Sequence, residues 1–266
     1  MMAMLAGSKL AAHTLQLTVG STSTLSQLFP AVPHITRFNL RSDAARAFLE
    51  NADYHIASVS IPYALATHED FVVEMLEFLK GSGVVLQTGG KNIRAWNMHS
   101  VLFQSCGVSE PEEWLESFHV LREVRNCITH AGGSADSKLS EAIAAMGTGA
   151  RAGWAAVNNG LAPESLIVGG RVVLTAELIF QAFAITKRLG REINTALQGK
   201  LASAVWARML VEDFAAQTSK AKNSDQWRRS LAGYASKHYS GMPIGAEELE
   251  SAARELGVWT SARWPS

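Results

Sequence analysis

The chain has 266 residues, 47% of them hydrophobic, enough to bury a full core in one large domain or in one domain with a smaller appendage. Its 24 basic and 24 acidic residues cancel, which excludes the global positive field that drives sequence-independent binding to duplex nucleic acid, so any contact with RNA or DNA must come from a local patch. Two cysteines, Cys106 and Cys127, are too few for a disulfide framework and, with no CxxC, do not make a zinc site; they point to a reducing compartment. No stretch approaches the roughly 20 consecutive apolar residues of a membrane span. The opening also lacks the basic start, continuous apolar core and cleavage site of a secretory leader. A cytoplasmic protein with no membrane partner is expected.

Residues 1–41, rich in Ser, Thr and small residues with prolines at 30 and 33, predict an irregular N-terminal arm with a short strand at HTLQLTV. From Ser42 the pattern becomes helical. SDAARAFLENAD starts behind a Ser N-cap, and YALATHEDFVVEMLEFLKG spaces Leu65, Phe71, Val72, Met75, Phe78 and Leu79 as one helical face before Gly81. After the loop GSGVVLQTGG, KNIRAWNMHSVLFQSCG is followed by Ser109, the expected cap of a helix with Pro111, Glu112 and Glu113 in its first turn. SKLSEAIAAMGTGARAGWAAVNNG reads as helix interrupted by glycines. ESLIVGGRVVLT reads as a hairpin turning on Gly169-Gly170, two positions suited to positive φ. A long helix follows, AELIFQAFAITKRLGREINTAL, with Leu178, Phe180, Ala182, Ile185 and Leu189 as its expected core, and three more helices complete the chain. The pattern predicts an all-α antiparallel helical bundle over 42–200 with one small β-hairpin, the arm 1–41 before it and a C-terminal helical extension over 201–266.

The helix that ends LREVRNCITHAGG holds the densest polar cluster. At about 100° per residue, Trp114, Phe118, Leu121, Val124 and Ile128 gather on one side as a core stripe, and His119, Arg122, Asn126 and His130 fall on the other. Asn126 and His130 are i,i+4 neighbours, with Arg122 one turn earlier, so these groups can meet one ligand. Arg125 projects from the margin of the apolar stripe, roughly 140° from His130. An isologous dimer resolves that mismatch, because it brings Arg125, Asn126 and His130 of both chains into one cleft. Gly132 and Gly133 suit the helix C-cap, which leaves His130 exposed, and the helix dipole favours a cationic histidine there, as a proton carrier requires.

Arg125-Asn126-x-x-x-His130, late in a helix and followed by glycine, resembles the R-polar-x-x-x-H motif of the HEPN superfamily. The match covers the motif closely and the helical pattern from about 42 to 200 loosely. The resemblance implies a dimeric α-bundle and a metal-independent endoribonuclease of a toxin, antiphage-defence or RNA-processing system. It makes Arg125 and His130 the catalytic pair and Asn126 the supporting polar residue. RNA is the implied substrate, with no metal and no cofactor, and a neutralising or activating protein partner belongs to such systems. Arg122 and His119 stand beside the motif as candidate phosphate contacts. The chemistry suits these residue types, since histidine moves protons and guanidinium matches phosphate.

Blander readings stand beside these. The Arg/Asn/His cluster also fits a polar network that closes a dimer or a helix end, and the same bundle also serves as a non-catalytic module that binds RNA, a nucleotide or a protein. Thr67-His68-Glu69-Asp70 lacks ligands at metal-binding register apart from Glu74 with Asp70. TGGKN at 88–92 suggests an anion nest but lacks the length and Lys-Ser/Thr ending of a P-loop, so a turn is expected. The basic runs TKRLGR and WRRS read as solvated faces, the C-terminal tryptophans as packing and Cys127 as packing. A DNA-binding helix-turn-helix at GAEELESAARELGVW lacks a following basic helix.

Overall fold

The computed structural model describes residues 2–38, 40–242 and 244–264. Over these the chain is predominantly helical, and a two-stranded antiparallel hairpin is the one sheet formed. The helices are α1 (Met2–Gln16), α2 (Leu25–Leu28), α3 (Ser42–Glu50), α4 (Ala52–Gly81), α5 (Met98–Cys106), α6 (Glu112–His130), α7 (Ser137–Ala145), α8 (Thr148–Val157), α9 (Ala176–Lys200), α10 (Ser203–Gln217), α11 (Asp225–His238) and α12 (Ala246–Glu255). Strands β1 (Ile167–Val168) and β2 (Arg171–Val172) pair Ile167 with Val172 and Val168 with Arg171. Gly169 and Gly170 between them take φ of +58° and +76°, the conformation expected of a two-residue turn.

The N-terminal arm is not irregular. Residues 2–16 form α1, which packs on α3, and the strand expected at HTLQLTV is absent from the described residues. Leu5, Ala12 and Leu15 recur at helical spacing and are buried, and this periodicity outweighs the β-branched Thr and Val nearby. Ser42 is the first residue of α3 behind an Arg41 N-cap, and α6 starts behind Pro111 rather than Ser109. Helix α4 begins at Ala52 and runs through Pro62, with Ala57, Ile61 and Leu65 buried along one face.

Compactness divides the chain discontinuously into two units. One unit is Met1–Phe71 with Glu110–Arg191, and the other is Val72–Ser109 with Glu192–Ser266. In the first, α6 is the central helix, flanked by α7, α8 and β2, and buries Leu115, Phe118, Val120, Leu121, Val124 and Cys127. Leu178, Ala182, Ile185 and Leu189 of α9 are buried as expected, but Phe180 is 41% exposed. Ile179 takes the inward position instead, one residue out of register with it.

The second unit has a core of its own, where α10, α11 and α12 converge on Leu210, Val211, Phe214, Trp227, Leu231, Ala253 and Trp259. Trp227 and Trp259 lie 6.0 Å apart between ring centroids, and Trp264 meets Trp259 edge-on at 4.8 Å. These tryptophans are packing residues. No helix among the described residues is long and apolar enough to cross a membrane.

Candidate functional site

Helix α6 carries Glu112 and Glu113 in its first turn, where the dipole favours them, and Glu116 accepts the amide of Gly147 at 2.7 Å. At the other end Gly132 and Gly133 adopt φ of +56° and +83°, and the Gly133 amide returns to the Cys127 carbonyl at 2.9 Å. The exit is pinned to the hairpin. Val172 donates to the Gly133 carbonyl and Ala135 to the Gly170 carbonyl, both at 2.9 Å, while Arg171 Nη2 reaches the Gly132 carbonyl at 2.9 Å. A side chain at Gly133 would put Cβ 3.2 Å from the Tyr54 hydroxyl, so the backbone approach there suits glycine. His130 therefore projects into solvent from a helix end fixed on two sides.

Arg125 lies on the flank that faces α4. Its Nη1 donates to both carboxylate oxygens of Glu69, at 3.0 and 3.1 Å, with the two side chains 23% and 19% exposed. Its Nε and Nη2 make no hydrogen bond among the described residues, so that edge of the guanidinium is left for another partner. Asn126 donates through Nδ2 to Glu123 Oε2 at 3.0 Å, and Arg122 donates through Nε and Nη2 to Glu123 Oε1 at 3.3 and 3.1 Å. Glu123 is thus a buried hub, 8% exposed, that holds two of the cluster's side chains. Arg122 Nη1 and His119 Nδ1 are buried without a partner among the described residues.

These contacts qualify the expected polar face. Of the four residues assigned to it, His130 alone is in solvent; His119, Arg122 and Asn126 are half-buried because Glu123 turns inward and draws two of them over itself. Burial, then the neighbouring Arg122 charge, holds the His119 imidazole below its usual pKa, which keeps it neutral. On the stripe side Phe118, Leu121 and Val124 are fully buried, while Trp114 and Ile128 are half-buried. The Arg188 guanidinium lies 5.0 Å from the centroid of the Trp114 ring. Cys127 is buried as expected of packing.

No hydrogen bond joins Arg125 to His130 among the described residues. Five positions separate them, about 7.5 Å along the helix axis. Glu69 and Glu123 are the partners that helical spacing did not reveal. Glu69 carries a readable signal, because it stands between Leu65 and Val72 on the buried side of α4, where a carboxylate requires a cation. Its neighbour His68 is 5% exposed, 5.2 Å from the Phe118 ring, and burial lowers its pKa to about 4. Among the described residues no group of three side chains is placed to hold a metal ion.

No family model, curated protein or solved structure matches the chain.

Proposed function

We propose that the chain is a metal-independent endoribonuclease of the toxin or antiphage-defence type, whose composite site forms when two copies bring the ends of α6 together in a homodimer. The observation that supports this reading most is the end of α6 itself. Arg125 is fixed by one nitrogen to Glu69 with its other edge open, and His130 stands exposed in the last turn of the same helix. In the reaction His130 takes the proton of the ribose 2′-OH and that oxygen attacks phosphorus. The bond from phosphorus to O5′ then breaks as His130 of the partner subunit protonates the leaving oxygen. Arg125 donates to the phosphorane oxygens as their charge develops. The products are a 2′,3′-cyclic phosphate and a 5′-OH, and the carbonyl oxygen of Asn126, which Glu123 leaves free, orients the histidine.

A second reading has an observation of its own. Arg122, Arg125 and Asn126 are all held by carboxylates of the same chain, the arrangement of a fixed polar network that shapes a surface for RNA, nucleotide or protein without cleaving it. Incubating the purified chain and its His130→Ala variant with a mixed RNA pool in EDTA separates the two. Cleavage with cyclic phosphate ends, lost in the variant, is the result expected of the nuclease. Equal cleavage by both proteins, or ends of another kind, overturns the assignment of His130. Silence from both, with each folded and dimeric, favours the binding module.

A further inference from the structure

From Phe78 to Ser109 the sequence has no Asp or Glu, yet it holds Lys80, Lys91 and Arg94. The nearest carboxylate upstream, Glu77, meets Lys80 at 3.7 Å as an exposed i,i+3 pair, a geometry that neutralises little. Lys91 and Arg94 have no acidic partner among the described residues. All three cations, together with Glu77, line an open groove of about 850 Å³ beside the loop 82–97. Among the lining residues, the amides of Val85, Leu86, Asn92 and Ile93 make no backbone–backbone hydrogen bond among the described residues. Such N–H groups and cations around one groove are the donors that a phosphate requires.

The loop is built rather than loose. Buried Asn97 accepts the Arg94 amide at 2.7 Å and donates to the Asn92 carbonyl at 3.1 Å. The Lys91 amide closes on the Thr88 carbonyl at 3.1 Å around Gly89 and Gly90, whose φ values are +59° and +75°. The Ser105 hydroxyl accepts the Gln87 amide at 2.8 Å. A site ordered in advance spends less binding energy on ordering itself. Beside it stands Trp96, 56% exposed, with Lys91 Nζ 5.7 Å from the ring centroid, so one lysine borders both the groove and an open aromatic face.

We propose that this loop binds a nucleotide, with its phosphates on Lys80, Lys91 and Arg94 and its base against the indole of Trp96. A groove this large holds more than an inorganic anion, and an exposed indole offers a stacking surface to any base. TGGKN lacks the hydroxyl that follows the lysine of a P-loop, so the phosphates are held here without that motif. It is independent of the nuclease reading, because none of its residues belongs to α6.

Calorimetric titration of the full chain with ADP, pyrophosphate and a 5′-hydroxyl oligoribonucleotide tests the site. ADP is expected to bind more tightly than pyrophosphate. The double variant Lys91→Ala/Arg94→Ala is expected to weaken both ligands at least tenfold, by loss of two charge-assisted contacts. Trp96→Ala is expected to weaken ADP about tenfold with pyrophosphate unchanged, and Trp96→Phe to restore most of it. His130→Ala binds ADP like the parent, so loss of RNA cleavage and loss of ADP binding are separate readouts. The substituted side chains are exposed, and thermal melts by circular dichroism confirm that the variants fold. No binding of ADP at about 1 mM, equal binding by the double variant, unchanged ADP affinity in Trp96→Ala, or binding of the oligonucleotide alone each overturns the proposal.

Discussion

On α6 the arginines are engaged: Arg122 lies over buried Glu123, and Arg125 is held by Glu69 from α4. In the loop 82–97 the cations Lys91 and Arg94 stand exposed in a stretch without a carboxylate. The residue types are similar, but their circumstances differ in what desolvation has cost. A half-buried guanidinium without its carboxylate is unstable, so on α6 the charge is part of the fold and its position is fixed. An exposed lysine costs nothing to leave unpaired, so the loop's charge is available to a ligand. Stability and binding should therefore respond in opposite ways to substitution in the two places.

The sharpest way to break that contrast is at Glu123. Glu123→Ala removes the acceptor of Arg122 and Asn126 while Arg122 Nη1 already lacks a partner, and is expected to lower the unfolding free energy by about 3 kcal/mol, the low end for a broken buried pair. Urea denaturation measures it. Replacing the pair together, as Glu123→Leu/Arg122→Met, is expected to recover most of the loss, because no charge is then left buried. A loss below about 1 kcal/mol would make the hub a surface pair in all but appearance.

Next in size is a pH effect at His68. Its folded pKa of about 4 lies below the ordinary histidine value of 6.5, so between those values the unfolded chain binds the extra proton. Stability is then fully present above pH 6.5 and falls as the pH drops toward 4, by up to about 3 kcal/mol at 1.36 kcal/mol per pH unit. Denaturant midpoints across that window should flatten in His68→Leu. An equal slope in the variant would assign the acid sensitivity to other groups.

Much of this was legible in the sequence where a local rule governs. Gly169-Gly170 demanded a turn of positive φ, the spacing of Phe118, Leu121 and Val124 set the buried side of α6, and Gly132-Gly133 marked its end, leaving His130 exposed. Helix α1 is hard to read because Thr14, Thr18 and Val19 suggest a strand, whereas its helical face is completed only by packing on α3. Phe180 is hydrophobic enough for a core place, but the register of Leu178, Ala182 and Ile185 gives the inward place to Ile179. The partnership of Arg125 with Glu69 spans 56 positions, beyond anything helical spacing can reveal. Glu123 was hidden differently: a glutamate on a polar helix reads as solvated until its two hydrogen-bonded neighbours are seen to cover it.

A smaller effect is expected at Glu69. Glu69→Gln keeps a hydrogen-bond acceptor for Arg125 but loses the charge, and since both side chains are about a fifth exposed the cost should be near 1 kcal/mol. If Arg125 acts on phosphate, its loosened guanidinium should lower kcat about tenfold and leave KM nearly unchanged, a split that a purely structural pair would not produce. Unaltered kcat with the stability loss intact would confine the pair to the fold.

The smallest expected change closes the comparison from the other side. Lys91→Ala and Arg94→Ala should each shift the unfolding free energy by less than about 0.5 kcal/mol, because both side chains are exposed and neither has an acidic partner to lose. Removing repulsion between neighbouring cations can even raise it slightly. A loss above about 1 kcal/mol in either variant would mean that the loop's cations hold its turns in place as the α6 arginines hold their helix. The charge would then be committed to structure, and the groove would have to recognise its ligand through its amides and Trp96 alone.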